Sequence, residues 1–146
     1  MLNILAQHSL RFCARQGIAA TLVFLDLDEF KAINDKFGHA EGDRALVAFA
    51  DRMRSTYRDT DLCARMGGDE FVVLLTDTSK QQAEEVIARF SGVLEKTNRE
   101  SNRGYDLTFS HGIVAFDPER HRTIEALLAD GDSRMYQTKK SKRDHR

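Results

Sequence analysis

A chain of 146 residues with 41% apolar content can enclose one hydrophobic core and is too short for two ordinary domains. Its 22 basic and 23 acidic side chains nearly cancel to a net charge of -1, so no overall field draws it to a nucleic acid polymer or an anionic membrane, and any phosphate binding has to be local. Two cysteines, Cys13 and Cys63, are too few for a disulfide framework and read as two buried thiols in a reducing, cytoplasmic setting.

In chain order, Leu2, Leu5, Ala6, Leu10, Cys13 and Ala14 recur at helical spacing, and Gly17 stops that helix. The run from Ile18 to Leu25, broken by Thr21, is too short to span a bilayer and lacks a signal-peptide layout. Its Thr21–Leu25 portion is apolar on both faces, as a strand covered by helices on each side should be, and it ends in Asp26-Leu27-Asp28. Phe30, Ile33 and Phe37 predict a short helix that Gly38 ends with a positive φ. Leu46, Phe49, Ala50 and Met53 mark a longer helix, and residues 62 to 75, folded about Gly67-Gly68, read as a β-hairpin. Ala83, Val86, Ile87, Phe90 and Leu94 form another helix. Leu107, Phe109 and residues 113 to 116 form a further strand, and Pro118 sits in the connection after it. Ile124, Leu127 and Leu128 begin a last helix that restarts through Met135 and Tyr136. The expected fold is α/β: a mixed, mostly antiparallel central sheet wrapped by helices.

The chemistry-bearing residues are acidic. Asp26 and Asp28, two apart at the end of a buried strand, leave the same face and converge, either to cap the following helix or to hold a hard cation against phosphate oxygens. Gly67-Gly68-Asp69-Glu70-Phe71 puts a second acid pair in a glycine turn where the backbone can approach a ligand closely. Asp43 has two readings, a helix N-cap or a base-reading carboxylate.

Taken together, Asp26-Leu27-Asp28-Glu29-Phe30-Lys31, Asn34-Asp35, Phe37-Gly38-His39, Gly42-Asp43 and Arg65-Met66-Gly67-Gly68-Asp69-Glu70-Phe71 resemble the GGDEF family of diguanylate cyclases. Ser110-His111-Gly112 and Asp132, Met135-Tyr136, Lys139 are similar to the family's closing strand and helix, so the resemblance runs from about residue 20 to 143. It implies a fold related to nucleotide cyclase and polymerase palm domains and a metal-dependent condensation of two GTP into cyclic di-GMP with release of pyrophosphate. Asp26, Asp69 and the Leu27 carbonyl would hold two Mg²⁺ or Mn²⁺ ions, with Glu70 beside them as ligand or base. Lys31, Lys139 and Arg143 would neutralise the triphosphate, and Gly67, Gly68 and the backbone near Phe30 would cradle it. Asn34 and Asp43 would read guanine.

Arg58 and Asp61 have the spacing of the family's inhibitory site for its own product, with Arg89 as a further contact; as a bare pattern the pair is a surface ion bridge. A two-fold product implies a homodimer, brought together by a sensor or membrane-anchored module elsewhere in the full-length protein. Only Leu2-Asn3 matches the stretch that normally opens the family's domain, so residues 1–146 are expected to be one GGDEF domain truncated at that motif. Lys-Arg-Asp at 142 to 144 stands where the family has Gly-Arg-Asn. The alternative reading is a non-catalytic cyclic di-GMP receptor built on Arg58 and Asp61.

Overall fold

One strand buried along its whole length organises the molecule. β1 (Ala20–Leu27) is buried at every position, the signature of a strand covered on both faces. In the computed structural model, which describes residues 2–58 and 60–144 and the side chains of 4–58 and 60–141, β1 lies inside a four-stranded sheet of order β2-β3-β1-β4. The other strands are β2 (Leu62–Arg65), β3 (Glu70–Thr76) and β4 (Phe109–Ala115). All three pairings are antiparallel, which carries the expected antiparallel predominance to completion among the described residues. Among the described residues, five helices wrap the sheet: α1 (Leu2–Gln16), α2 (Phe30–Phe37), α3 (His39–Thr56), α4 (Lys80–Glu100) and α5 (Ile124–Asp144).

Alternation along β1 divides the core in two. Val23, Leu25 and Leu27 pack with Phe71, Val73 and Leu75 of β3 against α3 and α4. Leu22 and Phe24 pack with Val72 and Leu74 against α1 and α5. Phe49 anchors the first side, its ring centroid 5.2 Å from Phe71 and 5.3 Å from Phe90. Burying each such side chain contributes roughly 1.5–3 kcal/mol. α4 begins in a capping box in which Ser79 and Gln82 satisfy each other's backbone N–H groups.

Several expectations are corrected. The last helix does not restart: α5 is continuous, and Gly131 inside it packs against Leu22 and Phe24 instead of breaking it. Leu107 precedes β4, its backbone held by the Asn98 side chain. Gly38, at φ 93°, ends α2 and starts α3 at once, so Asp43 lies inside α3 and is no N-cap. Cys13 is buried, but Cys63 is exposed. It lies on the edge strand β2, where α3 leaves an open groove of about 370 Å³ lined by Val47, Ala50, Arg54 and Cys63.

Candidate active site

β1 and the hairpin deliver the acids to one place. Asp26 sits directly across from Glu70 in the β1–β3 ladder, on the face covered by α5. The Leu27 N–H donates to the Asp69 carbonyl at 3.1 Å, tying the turn to the strand end. One carboxylate oxygen from each of Asp26, Asp69 and Glu70 lies within 4.8 Å of the others. Asp28 is not in this cluster. β1 ends at Leu27, the alternation ends with it, and Asp28 accepts from Ser110 Oγ at 2.7 Å while its N–H donates to Thr108. The expected convergence of Asp26 with Asp28 is therefore replaced by one of Asp26 with the hairpin acids.

Burial pushes the Asp26 carboxyl up to about 7; Lys139, whose Nζ donates to Oδ2 at 2.7 Å, opposes that rise, and Asp69 adds to it. Glu70 is also raised, by burial first and then by Asp132 and Asp69. Asp26 Oδ1 is buried without a hydrogen-bond partner. A buried acceptor left unmatched is costly, and three carboxylates around it suit a hard divalent cation. The residues present fit a metal.

Gly67 and Gly68 do not supply positive φ, so their value is space. A Cβ at Gly68 would meet nothing within 4 Å, and at Gly67 only Glu70 Oε2 at 3.7 Å; side chains there would fill the room beside the acids. Arg65 fixes this turn, its Nε and Nη2 donating to the Gly67 and Gly68 carbonyls at 2.7–3.1 Å. The sequence motif contains Arg65, but only the folded turn reveals this grip.

α5 brings Lys139 to Asp26 because two glycines let it lie close to the sheet. A Cβ at Gly112 of β4 would come within 2.6 Å of the Met135 N and 2.7 Å of the Gly131 O. From Gly131, packed on Leu22 and Phe24, two helical turns advance ~12 Å to Lys139, and β1 advances ~13 Å from Leu22 to Asp26. Arg143 lies on α5, but its side chain is outside the described residues.

On the other side of the acids, Glu29 precedes α2 in the left-handed region at φ 58° with no side-chain cap, a strained conformation of the sort that gathers at functional sites. Phe30 is half-buried and Lys31 exposed in the first turn of α2. Asn34 packs so tightly on α3 that a Cβ at Gly42 would collide with its carboxamide, which makes Asn34 and Asp43 neighbours across the α2–α3 elbow.

Arg58, Asp61 and Arg89 line one cleft of about 280 Å³ at the far end of β2. Asp61 is buried, accepts from the Arg58 backbone N–H at 3.0 Å and pairs with its guanidinium at 3.2 Å. Arg58 Nη2 also donates to the Thr76 carbonyl at 2.6 Å and to Thr78 Oγ1 at 3.0 Å.

The family described as diguanylate cyclase, GGDEF domain, matches residues 1–145. This chain belongs to the GGDEF family. Diguanylate cyclase TpbB of Pseudomonas aeruginosa (strain UCBPP-PA14) is 37% identical over 144 residues, covering 95% of this chain and 32% of TpbB. A relative named cyclic di-GMP phosphodiesterase NbdA, from P. aeruginosa PAO1, is 34% identical over 94% of this chain and 17% of its own length. The chain thus spans a third or less of either protein. A crystal structure of a sensory box/GGDEF family protein from Caulobacter crescentus matches with a TM-score of 0.83 and 30% identity over 96% of this chain and 90% of that one. Within the GGDEF fold, none of the described helices is long and apolar enough to cross a membrane.

Proposed function

We propose that this GGDEF domain condenses two GTP into cyclic di-GMP, releasing two pyrophosphates. The observation that carries the reading is the meeting of Asp26, Asp69 and Glu70 around a buried, unpartnered oxygen of Asp26. Asp26, Asp69 and the Leu27 carbonyl would hold two Mg²⁺ or Mn²⁺ ions, which supply acidification of the attacking 3′-hydroxyl and neutralisation of the leaving pyrophosphate. Glu70 completes that ligand set or takes the 3′-hydroxyl proton, and its raised pKa suits the second role.

Lys139, Lys31 and Arg143 neutralise the triphosphate, and the N–H groups at the start of α2 by Phe30, with the open space at Gly67 and Gly68, receive it. Asp43 accepts from the guanine N1–H and 2-amino group, and Asn34 pairs with O6 or N3. Each domain holds one GTP, so a two-fold product needs two domains face to face. In the whole protein we assign dimerisation to a sensor or membrane-anchored module and place this domain in the cytoplasm.

Arg58, Asp61 and Arg89 form the product's inhibitory site. Their shared cleft also supports a second reading, a non-catalytic cyclic di-GMP receptor. One experiment separates the two. A dimer forced by a fused coiled coil is incubated with GTP and Mg²⁺ or Mn²⁺, and products are identified by mass spectrometry. Cyclic di-GMP with two pyrophosphates per product is expected. Tight cyclic di-GMP binding with no turnover in either metal would overturn the cyclase in favour of the receptor.

A further inference from the structure

The α2–α3 elbow is held from outside by the loop between α4 and β4. Tyr105 of this loop donates its hydroxyl to Glu41 Oε1 at 2.8 Å, across 64 residues of sequence. Its ring lies 5.1 Å from that of Phe37. Phe37 is the last residue of α2 and Glu41 stands in the first turn of α3, so one side chain grips both arms of the elbow at once. Between the arms is only Gly38, whose φ of 93° marks it as the bend.

The grip is itself anchored. Asn98 of α4 accepts from the Leu107 N–H at 2.8 Å and donates to the Leu107 carbonyl at 3.0 Å, fixing the loop to a long helix. A Cβ at Gly104 would stand 3.4 Å from Phe37, so the loop is seated directly on that ring. Arg44 holds the second oxygen of Glu41 at 2.7 Å, which leaves the first aimed at Tyr105. Burial, reinforced by Glu41, pushes the Tyr105 hydroxyl up to about 12, so it remains a donor at neutral pH. The elbow needs such support because Ile33 is the only buried residue of α2.

The angle between the arms sets the spacing of Asn34 on α2 and Asp43 on α3. We propose that Tyr105 is a specificity-determining positioning residue, which through Glu41 and Phe37 holds Asn34 and Asp43 at the separation that distinguishes guanine from other purines. The inference rests on the reading of Asn34 and Asp43 as the base-recognising pair. It assigns to a loop outside the sequence motif a part in nucleotide choice, because a purine lacking the 2-amino group loses one donor to Asp43 only if Asp43 is correctly placed.

Equilibrium binding tests it, using 3′-deoxy-GTP and 3′-deoxy-ITP, which lack the attacking hydroxyl, titrated calorimetrically with Mg²⁺ into the whole chain. Tyr105→Phe keeps the ring stack and deletes the hydroxyl. The ratio of the two dissociation constants should fall about fivefold or more, with the thermal midpoint nearly unchanged. Glu41→Gln, which keeps an acceptor, should retain the parent ratio; Glu41→Ala should match Tyr105→Phe, and the double variant should be no worse than either single one. A parent-like ratio in Tyr105→Phe overturns the proposal. Asp43→Ala separates the layers: if it loses discrimination while Tyr105→Phe does not, only the positioning role falls. If Asp43→Ala also keeps the ratio, the base-reading assignment falls and this inference with it.

Discussion

Gly112→Ala is the most direct test of how the helix reaches the acids. The new Cβ would stand 2.6 Å from the Met135 N, 2.7 Å from the Gly131 O and 2.9 Å from the Arg134 Cβ. Two of these are backbone atoms of α5, which cannot rotate away, so α5 or β4 must give by ~0.8 Å or more to restore ordinary contact. Overpacking of this kind costs roughly 1–3 kcal/mol, and the entropy removed from the unfolded chain by alanine returns about 0.4–1 kcal/mol. A net loss of ~1–2 kcal/mol should lower the urea midpoint by about 0.5–1 M for a slope near 2 kcal/mol/M. Gly92→Ala is the control, since a Cβ there meets nothing within 4 Å inside α4. That change should raise stability by ~1 kcal/mol. A Gly112→Ala midpoint equal to or above the parent's would refute the close-packing argument, and with it the account of why Lys139 arrives at Asp26.

Asp69→Asn should lower turnover by ~10²-fold or more with little change in the fold, as one of the proposed metal ligands loses its charge; normal activity would sink the metal assignment. Because the Asp26 carboxyl is raised to about 7, a proton occupies the site below that pH and must be displaced by a cation, whereas above it the site is already ionised. Mg²⁺ should therefore raise the unfolding temperature more at about pH 8 than at about pH 6, and an equal shift at both would contradict this. Asp43→Ser should narrow the preference for GTP over ATP, read as a ratio of kcat/KM values, by roughly tenfold or more. Arg58→Ala should weaken cyclic di-GMP binding by about tenfold or more in calorimetry and leave progress curves that no longer slow as product accumulates; unchanged affinity would reduce the pair to a surface ion bridge.

Local pattern carried most elements into view. The doubly apolar run before Asp26 read as a buried strand because its neighbours cover both faces, and Gly38 read as a helix end because its backbone demands φ > 0. Where the sequence misled, the cause was a distant partner. Gly131 and Asp132 interrupt the apolar period of α5, yet Gly131 is there to meet Leu22 and Phe24, a hundred residues away in the chain. Asp28 looked like a partner of Asp26 by spacing alone, and Ser110 claims it instead. The acid trio was legible through the family resemblance, which put Asp26, Asp69 and Glu70 at one metal site; spacing alone did not show it, since their meeting depends on the β1–β3 register, which no local signal fixes. Tyr105 and Arg65 gave no sign of their roles, since one acts through a bond across the fold and the other through carbonyls of its own turn.

The alternation of β1 also sets what kinds of change the domain can absorb over time. Asp26 faces α5 only because an odd number of positions separates it from Leu25 and Leu27, which face α3 and α4. Removing or adding one residue between Thr21 and Asp26 would turn the carboxylate toward Phe49 and its neighbours and aim leucines at Lys139. Substitution along this strand is graded in its effect, whereas a shift in its length is all or nothing. Variation in length among descendants of such a sequence should therefore collect in the connections, such as residues 116 to 123, and be absent from residues 20 to 27.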